Sequence, residues 1–195
     1  LNQNNQNQPI LGANDGASGV AILMEIARFL NQNPLFNLGV DILLTDGEDM
    51  GKPGDADSWA LGAKVFSNRL PPPIPFAAIC VDMVGDKELT LPIERHSYMQ
   101  APQLVLDIWG LAQELGYNQF QMELGRAIID DHTAFYNQTG IPSIDIIDFD
   151  YPNTEMNYWH TLEDTPDKCS AESLEVVGTV LINYLFRLDL ELNEK

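Results

Sequence analysis

The stretch VDILLTDGED, residues 40–49, sets an apolar run directly against a group of carboxylates. The run at 40–44 predicts a short buried strand, which ends where Asp46, Glu48 and Asp49 gather around a glycine. In open α/β sheets ligands bind beyond the carboxyl ends of the strands, so we expect the chemistry of this protein there. The alternative is a plain solvated acidic loop, because charge runs are usually surface.

The composition is that of one globular domain spanning residues 1–195, with 45% hydrophobic and 20% charged residues. Ten basic residues against 29 acidic ones give a formal net charge of -19, which argues against nucleic acid as a partner. The same excess leaves carboxylates available for cations. No apolar run approaches the roughly 20 residues of a membrane span, so we expect none.

The first eleven residues are Asn/Gln-rich and predict a polar loop with neither a basic nor a hydrophobic signal region. A domain seldom opens on such a loop, so we expect the chain to lack its N-terminal part. Cys80 and Cys169 are the only cysteines and have no CxxC spacing. They predict neither a disulfide framework nor a zinc site of their own, and buried or capping thiols are the simpler interpretation.

Short apolar runs alternate with helical periodicity along the chain. Strands are predicted at 40–44, 76–81, 87–93 and 142–147. Helices are predicted after the glycine-rich turn at 12–19, at 58–68, at 102–116, through Phe135 and Tyr136 to about Gly140, and at 171–190. Asp57 or Ser58 would cap the second helix and Ser170 the last. The alternation predicts an α/β fold, a three-layer α/β/α sandwich with a largely parallel mixed sheet.

Acids fall at strand ends and glycine turns throughout this pattern. They are Asp15, Glu48, Asp49, Asp82 and Asp131, and His160 follows the last predicted strand. A parallel sheet would bring them to one edge, where carboxylates and one imidazole suit a catalytic zinc ion. Each acid also has a purely structural interpretation: Asp15 as a turn former, and residues 130–132 as a helix cap. His96, with no acid-bearing strand end nearby, is interpreted as surface.

Five motifs occur in the same order along this chain as in a known family. They are GANDGASGVAILMEIAR (12–28), LLTDGED (43–49), CVDMVG (80–85), IIDDH (128–132) and NYWHT (157–161). Together they resemble the zinc peptidases of family M28, which include aminopeptidases and glutaminyl cyclases. The resemblance extends from about Gly12 to the last helix.

The resemblance implies roles for individual residues. Asp15, Asp49 and His160 would be zinc ligands, and Glu48 would be the general acid/base. Asp82 and Asp131 would be supporting or proton-relay acids in a cyclase, whereas in two-zinc aminopeptidases the acid matching Asp82 binds a second metal. Trp159 matches a tryptophan of the cyclase substrate pocket.

One departure bears on the metal count. The family carries a His-x-Asp motif ahead of the glycine-rich turn, but only eleven residues precede Gly12 here and none is histidine. We therefore expect one zinc, and a second only if the full-length protein has an upstream histidine.

The Glu-Asp order at 48–49, the paired acids of IIDDH and the tryptophan of YWHT are most similar to bacterial glutaminyl cyclases of animal type. The resemblance thus implies a cyclase that acts on peptide or protein N-termini. It also implies that the protein is periplasmic or secreted. The alternative is a zinc aminopeptidase, in which Glu48 would activate the water that attacks the first peptide bond. A noncatalytic receptor-like domain of the same fold is disfavoured by the intact ligand set, and an acidic Ca²⁺-binding module by the absence of a DxDxDG loop.

Overall fold

The computed structural model describes residues 5, 7–52, 54–55 and 58–194. Its helices are α1 (Ala17–Gln32), α2 (Leu61–Ser67), α3 (Arg95–Gln100), α4 (Pro102–Glu114), α5 (Asp131–Thr139) and α6 (Ala171–Asn193). Its strands are β1 (Ala78–Asp82), β2 (Leu91–Ile93), β3 (Phe120–Leu124), β4 (Ser143–Ile147), β5 (Pro152–Asn153) and β6 (Met156–Asn157). Short 3-10 turns lie at Glu48–Met50 and Pro166–Lys168. No described helix is long and apolar enough to cross a membrane.

Parallel pairing dominates the strands, as the sequence predicts. Strand β1 runs parallel to β4, with Cys80 opposite Asp145, and β2 runs parallel to β3. Among the strands of the described residues, the two-residue pair β5 and β6 is antiparallel, and isolated antiparallel bridges join Lys52 to Asp55 and Asp86 to Cys169. Helices α1 and α5 both pack on β1, α6 packs on α1, and α2 packs on α5. The predicted α/β fold is confirmed.

The main core lies between the β1–β4 pair and the helices α1, α4 and α6. Ile22 and Ile26 of α1 are 3% exposed, and Val177 and Val180 of α6 are fully buried. Each such side chain contributes roughly 1.5–3 kcal/mol when it is removed from water. The Ser170 hydroxyl accepts a hydrogen bond from the Ser173 backbone N–H and caps α6, as predicted.

The prediction of a buried strand at 40–44 is wrong. Residues 38–47 belong to no strand of the described structure, and the side chains of the run are exposed: Val40 36%, Ile42 39%, Leu43 39% and Leu44 61%. An apolar run becomes a buried strand only when a neighbouring strand supplies ladder hydrogen bonds, and no described segment pairs with this one.

Other differences are local. Helix α2 begins at Leu61 after Ala60, so Ser58 is not its cap; the Ser58 hydroxyl instead binds the backbone of Lys52 and Asp55. Asp57, the other predicted cap, lies outside the described residues. The predicted edge strand 87–93 is only Leu91–Ile93. Helix α3 and strand β3 were not predicted, because each is short and lacks a clear apolar period.

Candidate active site

Three acids and bases from distant parts of the chain meet at one point. Asp15 lies in the turn before α1, Asp49 in the turn Glu48–Met50, and His160 in the loop after β6. The Nε2 atom of His160 is 3.2 Å from Asp15 Oδ2 and 2.8 Å from Asp49 Oδ2. One ligand atom from each residue lies within 4.8 Å of the other two. We call Asp15, Asp49 and His160 the outer cluster.

The acidic turn is held by the start of helix α2. The first N–H groups of a helix have no partner within it. Here the N–H groups of Ala60, Leu61 and Gly62 donate to the carbonyl oxygens of Glu48, Gly47 and Asp46, at 3.0, 3.3 and 2.9 Å. Gly47 has φ +69°, a conformation that glycine adopts without steric cost. The DGED sequence is therefore a turn whose backbone is fixed while its side chains stay free for chemistry.

Asp164 holds the turn that carries Asp15. Its carboxylate accepts hydrogen bonds from the backbone N–H groups of Asn14 (2.8 Å) and Asp15 (3.2 Å) and from the Tyr151 hydroxyl (3.0 Å). Asp164 is 1% exposed. Sequence reasoning missed this residue, because nothing in the acidic segment after His160 distinguishes it from Glu163.

His160 is held in an unusual backbone conformation beside an aromatic wall. Its φ is +58°, which a non-glycine residue rarely adopts and which clusters at functional sites. The ring stacks on Trp159 with centroids 3.9 Å apart, and Trp159 packs against Phe149 at 5.1 Å. The packing directs the imidazole to Asp15 and Asp49.

A row of further acids lies behind the outer cluster. Asp82 ends β1, and Asp130 caps α5 in a capping box with Thr133, so the helix-cap interpretation is correct for Asp130. The Asp131 carboxylate accepts a hydrogen bond from the Thr45 hydroxyl. Glu48 and Asp82 line the same cleft, and the charge of Asp131 acts on Glu48.

The crowding of these carboxylates shifts their protonation. Burial, with the charges of Asp130 and Asp49, raises the pKa of Glu48 to about 9. Burial, together with Asp130 and Asp15, also raises the pKa of Asp82 well above its usual range. Hydrogen bonds to Asp15 and Asp49 raise the pKa of His160 to about 10. Near neutral pH these shifts favour the protonated forms of Glu48, Asp82 and His160, so the crowded carboxylates are balanced in part by bound protons.

The cluster opens into a cleft of about 530 Å³. The lining combines acids with apolar and aromatic side chains: Asp15, Glu48, Asp49, Asp82, Asp130, Trp59, Met83, Ile128, Ile129, Phe149 and Trp159. A mostly apolar cleft with a few converging polar groups is the usual form of a small-molecule or peptide-end site.

The outer cluster fits zinc. Ligand atoms around tetrahedral zinc at 2.0–2.2 Å lie roughly 3.3 Å apart, close to the separations that His160 makes with the two carboxylates. The donors are two carboxylates and one imidazole without a thiolate, and the cleft leaves a further position open, which is the arrangement of a catalytic site.

A second group of polar side chains lies under α5. His132 is 2% exposed; its Nε2 is 3.1 Å from Glu94 Oε2, and its Nδ1 is 3.6 Å from Asp145 Oδ2. Glu94 also accepts hydrogen bonds from the backbone N–H groups of His96, Ser97 and Ile128. Sequence reasoning missed Glu94 and Asp145, because single acids within apolar segments carry no local signal.

The fold and the outer cluster define an α/β protein with a candidate metal site built on three loops. The model of peptidase family M28 matches residues 3–185, and the chain belongs to this family.

Solved structures agree with this assignment. A Porphyromonas gingivalis glutaminyl cyclase is 38% identical with a TM-score of 0.86, over 92% of this chain and 64% of that one. A Bacteroides thetaiotaomicron glutaminyl cyclase bound to N-acetylhistamine is 34% identical with a TM-score of 0.87, over 94% and 66%. A Zn-dependent exopeptidase from Parabacteroides distasonis is 35% identical with a TM-score of 0.83, over 91% and 64%. The chain thus spans about two thirds of the length of these proteins.

Proposed function

We propose that this protein is a zinc-dependent enzyme that converts an N-terminal glutamine of a peptide into pyroglutamate and releases ammonia. The observation that carries the proposal is the position of Glu48, next to Asp49 of the outer cluster and on the lining of the cleft that Trp159 also lines. The similarity to bacterial glutaminyl cyclases supports it.

Asp15, Asp49 and His160 would hold the zinc ion. Bound there, zinc supplies Lewis-acid polarisation of the γ-carboxamide oxygen of the glutamine. His160 serves as a ligand only through an unprotonated nitrogen, so metal binding displaces the proton that it shares with the two carboxylates.

Glu48 would move the proton. The α-amine nitrogen of the substrate forms a bond to the γ-carboxamide carbon, and the bond from that carbon to the amide nitrogen breaks. Glu48 accepts a proton from the amine and delivers it to the departing nitrogen, so that ammonia leaves. With a divalent cation held beside Asp49, Glu48 would have a lower pKa and would be ionised, the form that can accept this proton.

Asp82 and Asp131 would support Glu48. Burial raises the pKa of Asp131 to about 6, although its hydrogen bond with Thr45 opposes that shift. Acids with raised pKa values can share protons with Glu48 during the transfer. Trp159 would form the apolar wall against the glutamine side chain.

The second candidate function is that of a zinc aminopeptidase, and the similarity to the Parabacteroides distasonis exopeptidase supports it. The same ligands and Glu48 would serve, with Glu48 taking a proton from the attacking water. The two reactions differ in their products: cyclisation leaves the peptide chain intact, whereas hydrolysis releases the first amino acid.

The deciding experiment incubates the zinc-loaded protein with two peptides that differ only in their first residue, glutamine or leucine. We expect ammonia and an uncleaved pyroglutamyl peptide from the first and no product from the second. Free leucine from the second peptide, with no cyclisation of the first, would make the protein an aminopeptidase. N-acetylhistamine should inhibit the cyclisation.

We also propose a periplasmic or secreted location, for which the family resemblance is the support. Cell fractionation of the native host would test it, and recovery of the protein only with cytoplasmic markers would contradict it.

A further inference from the structure

A second cluster of ligand-type atoms lies beneath the candidate active site. Cys80 on β1 stands opposite Asp145 on β4, and Asp130 approaches both from the start of α5. The Cys80 Sγ atom is 3.9 Å from Asp130 Oδ2, and one ligand atom from each of the three residues lies within 4.8 Å of the other two. We call Cys80, Asp130 and Asp145 the inner cluster. It shares no residue with the outer cluster.

The Cys80 thiol donates to Asp130 Oδ2, but buried polar atoms of Asp145 and His132 at this cluster have no such partner. Asp145 is fully buried, and among the described residues only the carboxyl group of Asp130 is placed to share a proton with its carboxylate oxygens. The Nδ1 atom of His132 is likewise buried without a hydrogen bond, 3.6 Å from Asp145 Oδ2. Leaving a buried carboxylate unpaired is costly. The cluster therefore calls for a cation or for bound protons.

We propose that Cys80, Asp130 and Asp145 bind a second divalent metal ion of the zinc class. A thiolate beside two carboxylates favours Zn²⁺ over Mg²⁺ or Ca²⁺, which take oxygen ligands.

Metal binding here would also account for the buried thiol. Burial and the nearby acids raise the pKa of Cys80 well above its usual range, so in the metal-free protein this thiol keeps its proton. A metal ion would displace that proton and offset the charges of Asp130 and Asp145. The competing arrangement has no metal: Asp130 and Asp145 share a proton, and Cys80 remains a thiol.

Cobalt distinguishes the two arrangements. In the chelator-treated protein refilled with Co²⁺, the outer cluster offers only oxygen and nitrogen ligands, so any thiolate-to-cobalt charge-transfer band reports a cysteine. We expect such a band in the wild type and in Cys169→Ser, and its loss in Cys80→Ser. No band in the wild type at saturating Co²⁺ would overturn the proposal, as would a band that disappears only in Cys169→Ser.

A second measurement keeps the test independent of the folding of Cys80→Ser. In Cys169→Ser, Cys80 is the only thiol of the chain. X-ray absorption of this variant loaded with zinc should show a sulfur neighbour at about 2.3 Å. A zinc environment of oxygen and nitrogen alone would contradict the inner site, whatever the enzyme's reaction proves to be.

Discussion

The outer and inner clusters contain similar numbers of acids but stand in opposite surroundings. The outer cluster is built on loops, with side chains that are 18% (Asp15), 47% (Asp49) and 29% (His160) exposed, and its imidazole already bonds both carboxylates. The inner cluster lies between two paired strands and a helix, with Asp145 fully buried and only the Asp130 carboxyl placed to share a proton with it. The outer cluster is open to solvent and can exchange ligands and protons. The inner cluster is closed to solvent, so the protons or the cation that offset its charge stay bound.

Glu48 connects the two regions, because its pKa is raised by burial and by Asp130 and Asp49. The largest effect should follow its loss. Glu48→Gln should lower ammonia release by about 10²–10⁴-fold, the usual contribution of a general acid/base, while zinc stays bound. Rates and metal content measured on the same preparation check this.

Asp46→Asn is the matched control for Glu48→Gln. It changes an acid of the same turn that acts through its backbone carbonyl, and it should leave the rate close to that of the wild type. Near-normal turnover in Glu48→Gln would show that another group carries the proton.

Glu94 lies next to the inner cluster, because it bonds His132, which in turn faces Asp145. Its substitution tests how the buried region contributes to protein stability. Burial alone would raise its pKa, but hydrogen bonds from His132 and from the Ile128, Ser97 and His96 backbone outweigh burial and lower the pKa to about 2, from 4.5. The ionised form is therefore favoured in the folded state. Glu94→Gln should lower the free energy of unfolding at pH 7 by about 3 kcal/mol, measured by urea denaturation.

The pH dependence follows from the same shift. Because the folded pKa of Glu94 lies below the unfolded one, its contribution is complete above about pH 4.5 and is lost as the pH falls toward about 2. The difference between wild type and Glu94→Gln should shrink over that window. Glu114→Gln, which removes an exposed ion pair with Arg187, should have almost no effect at any pH. An equal loss in both variants would disprove the special role of Glu94.

Substitution of Asp164, which holds the Asp15 turn, tests the outer cluster through its affinity for zinc. Asparagine cannot accept from all three donors of Asp164, so the Asp15 turn should loosen without exposing the core. Asp164→Asn should weaken zinc binding about 10- to 100-fold in chelator competition, the usual effect of losing a group that orients a ligand. Glu163→Gln, an exposed neighbour, is the control. Unchanged zinc affinity in Asp164→Asn would mean that the Asp15 turn keeps its conformation without the Asp164 carboxylate.

The outer cluster was expected because its three residues stand in ordered motifs that resemble a known family; strand ends gave a weaker signal, since the run before Asp49 forms no strand. The α/β fold was also predictable, because apolar residues recur at helical spacing within the longer helices and short apolar runs lie between them. Glu94 and Asp145 were not predictable, because Glu94 meets Ile128 and His132 at separations of 34 and 38 positions and Asp145 meets Cys80 across a strand pairing, so nothing local marks them. The prediction of a strand at 40–44 failed for the same reason. The run has the composition of a strand, but strand formation also needs a neighbouring strand to pair with, which the run itself does not reveal.

The central claim is that the outer cluster holds the zinc on which cyclisation depends. The most direct test measures ammonia release from a glutamine-initiated peptide by chelator-treated protein, before and after addition of zinc, in the wild type and in Asp49→Asn, with Asp46→Asn as control. We predict that zinc restores the wild type and the control but not Asp49→Asn. Full activity without zinc, or equal restoration of Asp49→Asn, would contradict the account.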